Sequence, residues 1–388
     1  MRSAVVVEAV RTPIARAHPD KGYFRDVRAD DLSAHVIQAL LEKARLPAQL
    51  VEDIHWGCVK QEKEQGYDIA RQAVLIAGLP VEVGGCTVNR NCGSSLQAIN
   101  QAAAAIVAGW ADIVVAGGVE HMHHLPMDAG FDPSPRLFYR YSPADFQMGL
   151  TAEYLAQKYG ITRREQDEFA LRSHRRAAQA TDSGEFAAEI VPTWGRDEHG
   201  RRCVVTQDQC IRRDTSLEAL GQLKPAFLPE GGTITAGNAS PINVGAAALL
   251  LMSEEKAVQL GYRPKVRIRA QAVAGVDPCV MGIGPVPAVH KVLQRAGVTL
   301  EQVDLVEINE AFAAQTLAVI KLLGVELEKV NVRGGAIAIG HPLGASGARI
   351  STTLIHLMEA RKARYGLATM CIGGGQGIAT LYEAVGWD

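Results

Sequence analysis

Two cysteines, a histidine and an asparagine stand in settings that suit nucleophilic and acid–base chemistry. Cys92 lies in Asn91-Cys92-Gly93-Ser94-Ser95, in a turn between the run Cys86-Thr87-Val88 and a helix that opens at Ser94. The unbonded N–H groups of a helix start favour a thiolate placed near them. A free thiol of pKa about 8.5 is only a few per cent thiolate at neutral pH. A helix end contributes about 0.3–1 kcal/mol, less than one pKa unit. A nucleophile at Cys92 therefore needs a partner base, for which histidine is the natural choice. His341, held between Gly340 and Pro342, is fixed in a turn rather than left floating. Taken singly, Cys92 reads as a packed core cysteine and His341 as a solvated loop histidine.

Asn309 opens Asn309-Glu310-Ala311-Phe312, after an apolar strand over residues 305–308 and at the start of a helix. An amide there can hold an ordered water as an oxyanion donor, and an N-cap role explains it equally well. Cys371 closes the last strand and Gly373 follows directly. Such a cysteine can exchange protons with a carbon centre, and the Gly373 N–H can bind a developing oxyanion. Alone, Cys371 reads as core.

Other motifs are weaker. His121-Met122-His123-His124 invites a metal reading, but no carboxylate or cysteine stands at a matching short spacing, and no metal is expected. Gly373-Gly374-Gly375-Gln376-Gly377 lacks the helix and acidic residue of a dinucleotide site. There is no phosphate-binding P-loop and no serine nucleophile elbow. Arg163, Arg164, Arg172, Arg175, Arg176, Arg212 and Arg213 read as a solvated basic face, with some able to meet phosphates of a nucleotide-bearing substrate.

The elements that must position these residues alternate strand and helix. Residues 4–10, 113–117 and 367–372 read as buried strands. Residues 94–108 carry Leu96, Ile99, Ala103 and Ile106 on one helix face, and Gly109 stops the helix. The pattern predicts an α/β protein with helices covering mixed sheets. Residues 120–243 differ, being polar, arginine-rich and punctuated by proline, and they read as an insertion over the core. Within it, Thr162-Arg163-Arg164-Glu165 is a capping-box start for a helix running towards Ala180. Residues 46–57 echo residues 298–309, each followed some 30 residues on by a loop and a small-residue helix, one loop carrying Cys92 and the other His341. An internal duplication would bring one loop from each copy to a shared site.

Composition bounds the answer. The chain has 388 residues, 47% hydrophobic and 21% charged, enough for a sizeable core without metal or disulfide help. Forty basic residues against forty-two acidic give a net charge of −2, which argues against bulk nucleic-acid binding. No apolar run approaches the roughly 18 residues of a membrane helix, and Glu8 interrupts any signal-peptide core at once. Seven scattered cysteines with no C-x-x-C pair fit a reducing compartment, so a cytoplasmic location is expected.

Four markers in order make the chain resemble a thiolase, most of all a degradative 3-ketoacyl-CoA thiolase: Asn91-Cys92-Gly93-Ser94-Ser95, Asn309-Glu310-Ala311-Phe312, Gly340-His341-Pro342 and Cys371-Ile372-Gly373. Val119-Glu120-His121-Met122 and the run from Met148 to Glu153 resemble the thiolase subunit of bacterial fatty-acid oxidation complexes. The resemblance implies a five-layered αβαβα core from two duplicated halves with an inserted loop domain. It divides the chain into residues 1–119 and a return segment 244–262 for the first half, 120–243 for the CoA-binding insertion, and 263–388 for the second half.

The resemblance also implies roles. Cys92 is the acyl-accepting nucleophile, His341 its activator, and Cys371 the acid/base at the acetyl-CoA carbon. Asn309 holds a water that binds the thioester oxygen with His341, and the N–H groups of Cys92 and Gly373 form a second hole. Coenzyme A, a substrate rather than a cofactor, meets Arg212, Phe227, Ala236 and Ser240. A homodimer or dimer of dimers and a hydratase/dehydrogenase partner subunit are further implications. The family's usual Ser-Gly-Ile-Asn-Asp-Gly run reads Ser240-Pro241-Ile242-Asn243-Val244-Gly245 here. Gln147 stands where biosynthetic acetoacetyl-CoA thiolases usually have histidine, which favours the degradative branch over the acetyl-CoA acetyltransferase alternative.

Overall fold

The structure, a computed structural model, describes residues 2–128, 130 and 132–386; Met1, Trp387 and Asp388, at the ends of the outer segments, lie outside the described residues. The first part of the chain forms β1 (Ala4–Arg11), β2 (Ala15–Arg16), α1 (Ala29–Ala44), β3 (Asp53–Gly57), α2 (Ile69–Ile76), β4 (Cys86–Val88), α3 (Ser94–Ala108) and β5 (Ile113–His121). There follow α4 (Met148–Tyr159), α5 (Arg163–Asp182), β6 (Thr193–Arg196), β7 (Arg202–Val205) and α6 (Leu217–Gly221). The chain returns through β8 (Asn243–Ser253), α7 (Glu254–Gln259) and β9 (Val266–Gly275). It ends with α8 (Pro285–Ala296), β10 (Leu305–Ile308), α9 (Ala313–Leu323), α10 (Ser346–Arg361), β11 (Tyr365–Ile372) and β12 (Gln376–Ala384).

The two sheet halves repeat one topology. In the first, β3 runs parallel to β4 and β5, β5 antiparallel to β8, and β8 antiparallel to β1. In the second, β10 runs parallel to β11, β11 antiparallel to β12, and β12 antiparallel to β9. Even the outer strand has an echo, because Val330 bridges Val306 in parallel just as β4 pairs with β3. The halves join through two residue pairs between β1 and β9, Val5 with Arg267 and Val6 with Val266. The resemblance between residues 46–57 and 298–309 is therefore a repeat of one α/β unit.

Strand alternation sorts the core into layers, since successive side chains point to opposite faces. From β8, Ala246, Ala248, Leu250 and Met252 face an outer cluster with α1 and α2, while Ala247, Leu249 and Leu251 face inward. The inward side meets α3 and α10, and beyond them Ala368, Met370 and Ile372 of β11. The opposite face of β11 and β12 packs on α8 and α9 through Leu367, Leu381, Val289, Val292 and Val319. Helix, sheet, helix pair, sheet, helix is the five-layered α/β arrangement that the resemblance implies. Lying between two sheets, α10 is buried at every position from Ser346 to Met358. Its polar side chains are accordingly held inside: Ser351 Oγ accepts from Tyr382, and Thr353 donates to Glu189.

Between β5 and β8 lie α4, α5, the β6–β7 ribbon and α6. The capping box at Thr162 forms as expected and starts α5 at Arg163. The reading of this segment's arginines as one solvated face holds for Arg164, Arg175, Arg212 and Arg213, which are exposed, and is corrected for the other three. Arg163 bonds Asp167 and the carbonyls of Leu220 and Leu223, Arg172 bonds the carbonyls of Leu327 and Val330, and Arg176 bonds Glu328 and Val330 O. These side chains clamp α5 to α6 and to the second half, because a guanidinium fork satisfies free loop carbonyls. Among the described residues, no helix is long and apolar enough to cross a membrane.

Candidate active site

The repeat places Cys92 and His341 at equivalent points, each in the loop that feeds a central helix, α3 or α10. Close backbone approach makes room for both loops. A Cβ on Gly344 would sit 2.4 Å from Val119 O, and Gly344 N–H instead donates to Glu120 at 2.8 Å. Gly340 has φ +125°, and a Cβ there would meet Asn243 at 2.6 Å. Asn243 in turn accepts the His341 N–H at 2.9 Å through Oδ1. Glu120, buried, also accepts from Val59 N, Lys60 N and Gln65, so it ties the end of β5 to both flanking loops.

His341 is 5% exposed and its ring is held at both nitrogens. Nδ1 lies 2.5 Å from Ser346 Oγ, whose own proton goes to Pro342 O at 2.8 Å. The hydroxyl oxygen therefore accepts from Nδ1–H, which leaves Nε2 with its lone pair. Nε2 faces Asn309 Nδ2 at 3.3 Å. Burial, with the Arg349 charge adding to it, lowers the His341 pKa to about 3, so the ring is neutral at working pH. The sequence reading missed Ser346 and Asn243 as its anchors. Their signal was a hydroxyl five residues after the histidine and an amide in the altered 240–245 run.

Cys92 is partly exposed, and burial of its sulfur raises its pKa, while the N–H groups of Gly373 and of Cys92 itself pull the other way. Cys371 is 2% exposed among Met148, Met281, Ala311 and Phe312. Burial first and the neighbouring Cys92 second push its thiol well up, so it is fully protonated. Asn91, at φ +45°, donates from Nδ2 to Gly373 O at 2.9 Å and so laces the Cys92 loop to the turn after β11. Asparagine tolerates this left-handed conformation better than bulkier residues do. Asn309 is buried, its Oδ1 has no partner among the described residues, and it does not cap α9, whose N-cap is Phe312. Cys371 is the penultimate residue of β11, and β12 rather than β11 closes the chain.

The structure thus sets two thiols near each other, Cys92 and Cys371, with the N–H groups of Cys92 and Gly373 at the Cys92 sulfur, and holds a neutral histidine whose unprotonated Nε2 meets the Asn309 amide. That arrangement suits acyl transfer through Cys92 with proton exchange at Cys371. The description "Thiolase, N-terminal domain" matches residues 4–255, and "Thiolase, C-terminal domain" matches residues 262–384. The chain belongs to the thiolase family. It is 54% identical to a 3-ketoacyl-CoA thiolase of Aeromonas salmonicida over 389 aligned residues, covering 99% of this chain and all of the relative. A 3-ketoacyl-CoA thiolase of Vibrio cholerae is likewise 54% identical, with 99% and 100% covered. Among solved structures, the Bacillus anthracis acetyl-CoA acetyltransferase matches with a TM-score of 0.90 at 42% identity. The human mitochondrial 3-ketoacyl-CoA thiolase matches with 0.90 at 38%, and both alignments cover 99% of each chain.

In this thiolase, two of the residues expected at coenzyme A border the site. Phe227, 43% exposed, packs edge-on against Phe312 with ring centroids 5.9 Å apart, and Ser240 N donates to Ala311 O at 2.9 Å. Ala236 and Arg212 are exposed on the inserted segment, and Arg212 N is bonded to His174 of α5. The histidine cluster is brought to Glu64, a carboxylate that sequence spacing could not reveal. His121 bonds Phe24 O and the N–H of His124; His124 bonds Glu64 and Arg25 O; and the two rings stack 3.6 Å apart. Each of these ring nitrogens is already held by the protein.

Proposed function

We propose that this chain cleaves 3-ketoacyl-CoA with coenzyme A, yielding acetyl-CoA and an acyl-CoA shortened by two carbons. It is an acyltransferase of the thiolase class. The observation that carries the reading is the pairing of Cys92 with a second, buried thiol, Cys371, in a chain whose His341 is fixed by Ser346 with Nε2 unprotonated.

Nucleophilic attack begins when His341 Nε2 takes the Cys92 proton and Sγ adds to the C3 ketone, whose oxygen becomes an oxyanion. The N–H groups of Cys92 and Gly373 are the donors for that oxygen. The C2–C3 bond then breaks, leaving the acyl group on Cys92 and the acetyl-CoA enolate as leaving group. Cys371 S–H protonates the enolate carbon, and its high pKa keeps it loaded for that step. Asn309, with a water, and His341 bind the enolate oxygen. In the second half, coenzyme A gives its thiol proton to the Cys371 thiolate and attacks the thioester, and the departing Cys92 sulfur takes back the proton held on His341. Ping-pong kinetics follow, because acetyl-CoA leaves before coenzyme A attacks.

Arg212, Phe227, Ala236 and Ser240 are our candidates for coenzyme A contact, supported by the position of Phe227 and Ser240 against the Asn309–Phe312 loop. Residues 120–243 would form the CoA-binding insertion. Coenzyme A acts as substrate, and the side chains named suffice without a resident cofactor. A homo-oligomer is supported by β4, which ends the sheet with Cys86 exposed. A hydratase/dehydrogenase partner subunit is supported by the resemblance to the complex-forming branch. Seven unpaired cysteines favour a reducing, cytoplasmic setting.

The test is cleavage of 3-ketoacyl-CoAs of increasing length with free coenzyme A, followed by loss of enolate absorbance. Rates that rise with chain length support the degradative reading. Activity confined to acetoacetyl-CoA moves the assignment to an acetyl-CoA acetyltransferase, which the likeness to the Bacillus anthracis structure keeps as the second reading.

A further inference from the structure

The loop that carries Cys92 and the hairpin that carries Gly373 are held in register by side chains that the chemistry above does not use. β11 and β12 pair as far as Ile372 with Gln376, so Gly373, Gly374 and Gly375 form the turn between them. Three glycines give that turn no side chain to pack. Gly374 and Gly375 lie at φ +85° and +88°, and a Cβ on Gly374 would meet nothing within 4 Å. The turn therefore takes its position from what is bonded to it. On its far side, Val276 N–H donates to Gly375 O at 2.8 Å. On the side of the nucleophile, Asn91 Nδ2 donates to Gly373 O at 2.9 Å and Arg90 Nη1 to Gln376 Oε1 at 2.9 Å. The two segments also touch directly, since a Cβ on Gly93 would sit 2.6 Å from Ile372 Cδ1.

Asn91 stands on a rigid base. Its N–H donates to Asn89 Oδ1 at 2.9 Å, and Asn89 Nδ2 donates to Val59 O at 3.0 Å. Asn91 O accepts from Ser94 Oγ at 2.6 Å and from Ser94 N at 3.0 Å. These bonds hold the residue at φ +45°, in the left-handed region that asparagine tolerates. Asn91 is exposed, so its side chain contributes through the bond to Gly373 rather than through core packing. That bond closes on the carbonyl of the residue whose N–H serves the acyl oxygen in the proposed mechanism, and it fixes the peptide plane that follows this donor.

We propose that Asn91 is a positioning residue for the acyl-enzyme. Its bond to Gly373 O sets the spacing of the Cys92 and Gly373 N–H groups, and so how well the two grip the oxygen that develops charge. The proposal rests on Cys92 as nucleophile and on those two N–H groups as its oxyanion donors. Removing an oxyanion donor outright costs about 10²–10³ in rate. Asn91 acts through the Gly373 turn, so its loss removes the effect of one neutral hydrogen bond, about 2- to 12-fold.

The experiment acetylates Cys92 in the full-length protein with p-nitrophenyl acetate carrying heavy carbon at the carbonyl. Infrared difference spectroscopy reads the thioester carbonyl stretch, and the identically treated Cys92→Ala protein is subtracted to remove other cysteines. Asn91→Gly keeps the backbone conformation and deletes the amide, whereas Asn91→Asp replaces the donor by a second acceptor facing Gly373 O. Both should move the band to higher frequency than wild type, Asn91→Asp further, because a carbonyl freed from N–H donors stiffens. In 3-ketoacyl-CoA cleavage, Asn91→Gly should lower kcat about 2- to 12-fold and leave KM within twofold. A band at the wild-type frequency in both variants overturns the proposal, as does a loss of cleavage carried wholly by KM. A looser loop with no bearing on the oxygen would lower the melting temperature and leave the band in place, which also overturns it. Cleavage by the wild type is scored separately, so an inactive wild type whose band shifts in both variants sinks only the functional reading.

Discussion

Replacing Ser346 by alanine tests whether the fold fixes the tautomer of the base. In the structure, Ser346 Oγ gives its proton to Pro342 O and receives Nδ1–H of His341 at 2.5 Å. Ser346→Ala leaves that N–H as a buried donor without a partner, a penalty of about 1–3 kcal/mol. The imidazole relieves it by moving the proton to Nε2, where the unpartnered Asn309 Oδ1 accepts it once the amide turns over. The ring then presents N–H, not a lone pair, to Cys92 and cannot take the thiol proton. At about 1.4 kcal/mol per tenfold, the acylation rate should fall about 5- to 150-fold. Single-turnover acylation by a 3-ketoacyl-CoA, followed by rapid quench, reads that rate, and a thermal melt checks folding. A rate within twofold of wild type in a folded variant would refute the tautomer assignment, as would a loss expressed wholly in KM.

Four further outcomes are expected. Cys92→Ala should form no acyl-enzyme detectable by intact-protein mass spectrometry; stable acylation at another residue would displace Cys92 as nucleophile. Cys371→Ala should still accept an acyl group from an acyl-CoA yet lose at least a hundredfold in carbon–carbon cleavage, and cleavage at near wild-type rate would remove its acid role. Gly344→Ala should lower stability by several kcal/mol, because the new Cβ would meet backbone at 2.4 Å; a melting shift under 2 °C would contradict the close approach. Glu307 is protonated in the fold up to about pH 8 but ionises near 4.3 when unfolded, so the folded state binds more protons between those values. Its contribution to stability is complete below pH 4.3 and fades as pH rises towards 8. Glu307→Gln should therefore flatten the fall in unfolding free energy over that window by up to about 1.4 kcal/mol per pH unit in urea titrations. An unaltered slope would show that Glu307 is ionised.

Much of this protein is legible because its chemistry sits at element boundaries marked by small residues. The helix over Ser94–Ala108 with Gly109 after it, and the strand over Leu305–Ile308, fall where periodicity and capping place them. The weak echo between residues 46–57 and 298–309 is read in the sequence as order without identity, and strand pairing turns it into a repeated topology. The arginines of the insertion were opaque, because a sequence shows their charge but not the carbonyls of residues 327 and 330 that they reach across the chain. Glu64 beside His121 and His124 was hidden for the same reason, since the two segments are 60 residues apart.

By itself the sequence determined the residue types of the site and the α/β class, because periodicity, glycine placement and short motifs are local properties. It could not determine protonation. Whether Cys371 is an acid, whether His341 is neutral and which of its nitrogens bears the proton depend on burial and on groups 5 to 279 residues away, Ser346 and Cys92 among them. Desolvation and hydrogen-bond geometry exist only once the two halves have closed around α3 and α10, so only the tertiary structure turns these residue types into a nucleophile, a base and an acid.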